Sequence, residues 1–181
     1  IILSSTSKIT FAGAGIGFIG LSAENVKFLN SNLSAHFITP NKIEQYRHVK
    51  FIQSYSGGIT QLMKDHAKIL RPKYELVDQV LTEELGGTEL AEWTKPRGGY
   101  FISLNTKNPV ADRVVSLVKS IGVALTPAGA TYPFGKDPNN ANIRIAPTRP
   151  PLEELRPAIE ILVLCIKIAS YEYQNGVRIV N

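Results

Sequence analysis

The chain has 181 residues, 44% of them hydrophobic, which is enough for one packed domain or for one domain with part of another. Its 20 Lys and Arg against 15 Asp and Glu give a formal charge of +5, but the positive charges are scattered, which argues against a nucleic-acid-binding surface. A single cysteine excludes an internal disulfide and a thiolate metal cluster, and no apolar run approaches the eighteen or so residues of a membrane span.

In chain order, residues 1–3 (Ile-Ile-Leu) read as a strand feeding the hydroxyl-rich Ser4-Ser5-Thr6-Ser7-Lys8. The Gly-rich run over residues 11–20 predicts a closely packed turn rather than a flexible linker. Ser22 is placed as the N-cap of a helix carrying Val26, Phe28 and Leu29, and residues 40–47 begin a second helix with an exposed polar face. The longest periodic segment is residues 59–85, where Leu62, Ile69, Tyr74, Val77, Val80 or Leu81, and Leu85 approximate one stripe. Gly86-Gly87 stops it, and Pro72 is expected to kink or divide it.

Beyond that helix the pattern is α+β. Residues 100–104 predict a strand, residues 109–121 a helix ended by Gly122, and residues 123–126 and 142–146 two further short strands. Between the last two lies a polar loop with Gly129, Gly135 and Pro138. Leu152, Leu155, Ile159, Leu162 and Ile166 mark a long closing helix after Pro150-Pro151, and Cys165 sits on its packed face. Trp93 reads as a packing residue and Arg149 as a surface one. His36, His48 and His66 have no metal-ligand spacing, which leaves His48, beside Arg47, as an interface candidate. Gly15-Ile16-Gly17-Phe18-Ile19-Gly20 spells the dinucleotide-binding fingerprint, but a Ser/Thr-rich stretch precedes it and no carboxylate follows before Glu44, so that reading is set aside.

Chemistry concentrates at Lys8. A lysine flanked by hydroxyls and followed by Ala12-Gly13-Ala14-Gly15-Ile16-Gly17 can be drawn into a packed site, where desolvation frees its amine as a nucleophile towards a carbonyl. The hydroxyls and free backbone amides beside it suit a phosphate. This Ser-x-Ser-Lys and Gly-rich segment resembles the cofactor-lysine motif of fold-type I pyridoxal-phosphate-dependent aminotransferases. Pro96-Arg97-Gly98-Gly99-Tyr100-Phe101 is similar to the Pro-x-Gly-Gly-aromatic approach to that superfamily's small domain. Asn142-Ile143-Arg144-Ile145-Ala146-Pro147 is similar to the strand whose arginine grips the substrate α-carboxylate. The wording is most like the bacterial aspartate-aminotransferase group, and the likeness covers nearly the whole chain but only the C-terminal half or less of such an enzyme.

The resemblance implies an α/β protein, the C-terminal portion of a PLP-transferase of fold type I. Residues 1–65 would be the remnant of the large cofactor-binding domain and residues 66–181 the small α+β domain. It makes Lys8 the catalytic residue that holds pyridoxal 5′-phosphate and moves the substrate Cα proton. Ser5, with Ser7 and Thr6, would bind the cofactor phosphate; Arg144 would bind the substrate carboxylate, and Tyr132 would lie over the substrate. No metal is implied. The substrates would be an α-amino acid, aspartate or glutamate, and a 2-oxo acid, handled by a homodimer in the cytoplasm without nucleic-acid or membrane partners. Many relatives carry a phosphate-binding arginine eight residues after the lysine, where this chain has Ile16; backbone amides of residues 13–15, or Arg47, are the substitutes considered.

The chain starts at Ile1 inside an expected buried strand, and its one methionine is Met63, so a C-terminal part of a longer protein is the expectation. The family's pyridinium-pairing aspartate, ring-stacking aromatic and Gly-rich phosphate loop lie before the lysine, so these residues alone are expected to be inactive. Two other readings stay open at this stage. One is a lyase, decarboxylase or transcription-regulator domain sharing the fold and lysine. The other is an inactive remnant with exposed apolar surface and a tendency to self-associate.

Overall fold

In the computed structural model, which describes residues 1–177, the chain divides into two units, Ile1–Lys68 and Ile69–Asn181. The first opens with strand β1 (Ile2–Ser5), which pairs antiparallel with β2 (Gly17–Gly20) in the register Ile2↔Gly20 to Ser5↔Gly17. The second half of the Gly-rich run is therefore a strand and not only a turn. Phe18 and Ile19, both good β-formers, find a backbone partner across the hairpin. All eight strand residues are exposed, and with them a patch of Ile1, Ile2, Leu3, Phe18 and Ile19.

Helix α1 (Ala23–Leu33) starts as its cap predicts, with Ser22 Oγ accepting from the Asn25 amide. Helix α2 (Lys42–Ser54) is capped by Asn41, whose Oδ1 accepts from the amides of Ile43 and Glu44. Its polar face is exposed as expected, except at His48, which is 3% exposed.

Helix α3 (Gly58–Leu85) begins in the first unit and ends in the second. It runs unbroken through Pro72, so the expected division into two helices does not occur. Proline removes one N–H from the ladder, but Pro72 is exposed and the turns after it are held by burial of Val77, Val80, Leu81 and Leu85. Ile69, assigned to the buried stripe, is instead 65% exposed; it lies where the chain passes from one unit to the next.

The second unit is a three-stranded antiparallel sheet in the order β3 (Ala91–Trp93), β4 (Ile102–Thr106), β5 (Asn142–Ile145). Ile102 and Leu104 of β4 and Ile143 and Ile145 of β5 face one way and join a core with Val77, Leu81, Val114, Val118, Leu162 and Ile166. That core is built from α3, α4 (Ala111–Ser120) and α5 (Leu152–Gln174). Cys165 lies in it at 1% exposure, as read from its helix face. Strand β4 starts two residues later than expected, because Gly99, at φ 92°, keeps the approach in a turn.

Residues 123–126 form no strand. Val123 and Leu125 do alternate inward onto the core, but packing rather than ladder pairing satisfies the pattern. Strand β3 was not foreseen. Its Trp93, half-buried against the core, also donates Nε1–H to Asp78 at 2.8 Å.

Candidate active site

The turn after β1 is closed by its own backbone. The Thr6 amide donates to Ile16 O at 2.9 Å, the Ile16 amide donates to Thr6 Oγ1 at 2.8 Å, and the amides of Ile9 and Thr10 both donate to Thr6 O. Gly15 is brought so close to Ser7 that a Cβ there would lie 2.3 Å from Ser7 Oγ and 2.7 Å from its Cα, so only glycine fits. Ser5 and Ser7 share the exposed side, with Ser5 Oγ donating to Ser7 Oγ at 3.3 Å. Lys8 follows on the same turn and is exposed in this chain, as are all strand positions of the hairpin that carries it.

Thr6 turns the opposite way and is 8% exposed. Its hydroxyl lies 3.0 Å from His48 Nε2, and the Thr10 hydroxyl lies 2.7 Å from the same nitrogen. His48 Nδ1 is 2.8 Å from the Glu44 carbonyl oxygen. A carbonyl can only accept, so Nδ1 carries the hydrogen, and in the neutral ring Nε2 accepts from a threonine hydroxyl. Phe11 meets the imidazole edge-on with centroids 5.2 Å apart, while Arg47 lies 4.5 Å over Phe11 and 2.7 Å from Glu44. His48 is thus an interior residue of its unit, not an interface one, and Arg47 is engaged with Phe11 and Glu44.

The second unit holds the arginine. The register Ser103↔Arg144 and Asn105↔Asn142 puts these four side chains on the face opposite Ile143 and Ile145, as their alternation predicts. Arg144 Nε donates to Thr126 Oγ1 at 3.3 Å and its guanidinium lies 4.5 Å over the Phe101 ring. Asn142, 9% exposed, donates to Ser103 and Asn105 and accepts from Thr131, each near 2.8 Å.

Thr131 leads into Tyr132, which is half-buried at the start of a short 3-10 turn (Pro133–Gly135). Asp137 closes the same loop by accepting from the amides of Asn139, Ala141 and Asn142. Burial alone would raise its carboxyl, but the three amide donors outweigh that and hold it below the ordinary carboxylate value. Neither Asn142 nor Asp137 was singled out from sequence, although Asp137-Pro138-Asn139 is turn chemistry visible in the chain.

Lys8, Ser5, Thr6 and Ser7 therefore stand together in the first unit, and Arg144 and Tyr132 in the second. The dinucleotide reading finds no support, since β2 occupies the glycine run and α1 opens only at Ala23. Among the described residues no group of three His, Cys, Asp or Glu is arranged to hold a metal, and no helix is long and apolar enough to cross a membrane.

The sequence profile described as aspartate amino-transferase matches residues 1–178. The chain belongs to the aspartate aminotransferase family. Within this aminotransferase family it is 42% identical over 176 residues to an aminotransferase of Mycolicibacterium smegmatis, covering 97% of this chain and 41% of that protein. It is 42% identical over 170 residues to an aspartate aminotransferase of Corynebacterium glutamicum, covering 94% of this chain and 39% of that one. A solved aminotransferase structure from Corynebacterium diphtheriae superposes with a TM-score of 0.85 at 43% identity, over 94% of this chain and 42% of the other. The chain thus spans about two-fifths of the length of these relatives, and the α/β fold-type I architecture is theirs.

Proposed function

We propose that this chain supplies the cofactor lysine, the phosphate-side hydroxyls and the carboxylate-binding arginine of a pyridoxal-phosphate-dependent aminotransferase. The reaction exchanges an amino group between aspartate or glutamate and a 2-oxo acid. The observation that carries the reading is the Ser5–Ser7 hydroxyl pair 3.3 Å apart beside Lys8, on a turn that Gly15 packs too closely for any side chain. A cradle of hydroxyls and bare backbone fits a phosphate, and the neighbouring primary amine fits an aldehyde. These residues therefore fit pyridoxal phosphate.

When bound, that group withdraws the electrons freed at the substrate Cα. The protein's own residues do the rest. Ser7 Oγ, which accepts from Ser5, keeps its own proton to donate to a phosphate oxygen. Lys8 Nζ would anchor the cofactor and would then carry the proton that leaves the substrate Cα. Thr6, assigned from sequence to the phosphate, serves the reading differently: its buried hydroxyl ties the turn to His48 and Ile16.

Arg144 grips the α-carboxylate with its two terminal nitrogens, its Nε being engaged by Thr126. Tyr132 bounds the substrate from the loop tied to Asn142 through Thr131. The reading includes a homodimer acting in the cytoplasm, as the family likeness implies.

The test is absorbance on addition of pyridoxal phosphate to the whole polypeptide, wild type and Lys8→Ala, followed by borohydride reduction and mass spectrometry. A reduced adduct on Lys8, absent in the variant, supports the reading, and amino transfer from aspartate to 2-oxoglutarate specifies it. No adduct on the wild type overturns it.

A further inference from the structure

Resting on that reading of Lys8, we infer that His48 is a positioning residue for the cofactor lysine, acting through Thr6 and Thr10. The segment from Thr6 to Thr10 spans Lys8, and the hydroxyls at its two ends lie 3.0 and 2.7 Å from His48 Nε2, whose single lone pair accepts from one of them, while the Thr10 hydroxyl is also 3.2 Å from Thr6 O and ties the two ends together. A ring that holds one end of a five-residue turn whose two ends are themselves hydrogen-bonded together restrains every residue inside it. Loops of small and hydroxyl residues have little apolar side-chain burial of their own to hold them, so a hydrogen-bonded restraint sets their geometry.

The imidazole is itself fixed. Its Nδ1–H donates to Glu44 O one turn back on α2, which sets the tautomer and leaves Nε2 as the acceptor. Phe11 closes the side of the ring, and Arg47 covers Phe11 while pairing with Glu44. Both ring nitrogens thus have assigned partners at 3% exposure, where losing one leaves a buried polar group unpaired. Through this ring helix α2 transmits its position to the turn. Thr6 Oγ1 also accepts from the Ile16 amide, so the same hydroxyl links the Gly-rich return strand into the turn.

Two amides distinguish this role from mere packing. Asparagine reproduces the position of Nδ1 and keeps the Glu44 contact, whereas glutamine reaches the position of Nε2 and keeps the threonines. The whole polypeptide is compared as wild type, His48→Gln, His48→Asn and His48→Phe. Without cofactor, hydrogen exchange in the segment carrying Thr6 to Ile16 is measured by mass spectrometry. With cofactor, borohydride capture on Lys8 and the kcat and KM for amino transfer are measured, and Tm is recorded for each.

The expected result is exchange about tenfold or more faster in the Asn and Phe variants, with Gln near wild type, since one lost hydrogen bond to a buried polar group has roughly that effect. Lys8 capture and kcat fall in the same order, while KM for the amino acid moves little. Equal exchange and capture in all four proteins overturns the inference while leaving the function intact. So does a loss that follows Tm alone and is no better in Gln than in Asn. If wild type captures no cofactor, the proposed function falls, and the exchange arm alone still decides whether His48 holds the turn.

Discussion

The guanidinium of Arg144 lies 4.5 Å from the centroid of the Phe101 ring. The two are brought together by the β4–β5 register, in which Ile102, next to Phe101, pairs with Ile145, next to Arg144. The ring supports one face of the cation and Thr126 takes its Nε, so these two contacts orient the fork.

Replacing Phe101 by leucine removes the π-face while keeping an apolar side chain. At an exposed site the contact is worth about 0.5–1 kcal/mol, so KM for the amino acid should rise roughly two- to fivefold with kcat nearly unchanged. Arg144→Lys should do more, on the order of 10- to 100-fold in kcat/KM, because a point charge cannot make two parallel bonds to a carboxylate. Steady-state kinetics with the whole polypeptide check both, and an unchanged KM in Phe101→Leu removes the stacking argument.

Gly15→Ala should break the lysine turn. A methyl group at that position would overlap Ser7 Oγ, Cα and N, and backbone cannot yield as a flexible side chain does. Gly17→Ala is the control, since a Cβ there meets nothing within 4 Å. Borohydride capture of pyridoxal phosphate on Lys8 should be lost in the first variant and kept in the second.

Asp137 gives the second unit an acid-sensitive loop. Its carboxyl is held below the unfolded value, so the stability it contributes is present above the unfolded pKa of about 3.9 and is lost as pH falls through the lower folded value. The Tm advantage of wild type over Asp137→Asn should therefore be full at pH 6 and should shrink below about pH 4. Thermal melts across that range test the sign; an advantage that grows on acidification contradicts it.

Burial pushes the Cys165 thiol up, an effect that the Arg113 guanidinium only partly opposes, and the side chain is 1% exposed. Its native reaction with a thiol reagent should be slow at pH 8 and should speed up in step with unfolding by denaturant. Fast labelling of the folded protein would mean the α5 face opens locally.

Leu81 is fully buried in the core of the second unit. Leu81→Ala should destabilise that unit by about 2–5 kcal/mol, read as a lower urea midpoint with the slope unchanged. Leucine at 69 in place of Ile69 should leave the midpoint nearly unmoved, because that residue is 65% exposed.

Much of the local structure was legible in the chain. Ser22 announces α1, the stripe through Val77, Leu81 and Leu85 announces the end of α3, and the alternation Asn142-Ile143-Arg144-Ile145 announces β5 with its arginine turned from the core. Misreadings fell where local rules compete with tertiary ones. Pro72 signals a kink or a division, and of these the division does not occur, since burial of the following turns keeps the helix whole. Val123 and Leu125 alternate like a strand, yet no strand pairs with them, and the Val123 amide turns back to Val118 O instead.

Lys8 and its hydroxyls are a contiguous motif, so the chemistry proposed for them is legible in neighbouring residues, while the family rests on a match over residues 1–178. Arg144 likewise declares its face through a period of two. The supports of these residues are another matter. His48 lies 42 residues from Thr6 and 38 from Thr10, and Thr126 lies 18 from Arg144. No local periodicity encodes such pairs; only the folded arrangement of α2 against the lysine turn, and of the 123–141 segment against β5, brings them within hydrogen-bonding distance. The residues proposed to do chemistry were legible in the sequence itself, and the contacts around them were decided by tertiary structure, because hydrogen bonds and ring contacts act over a few ångströms of space and are blind to separation along the chain.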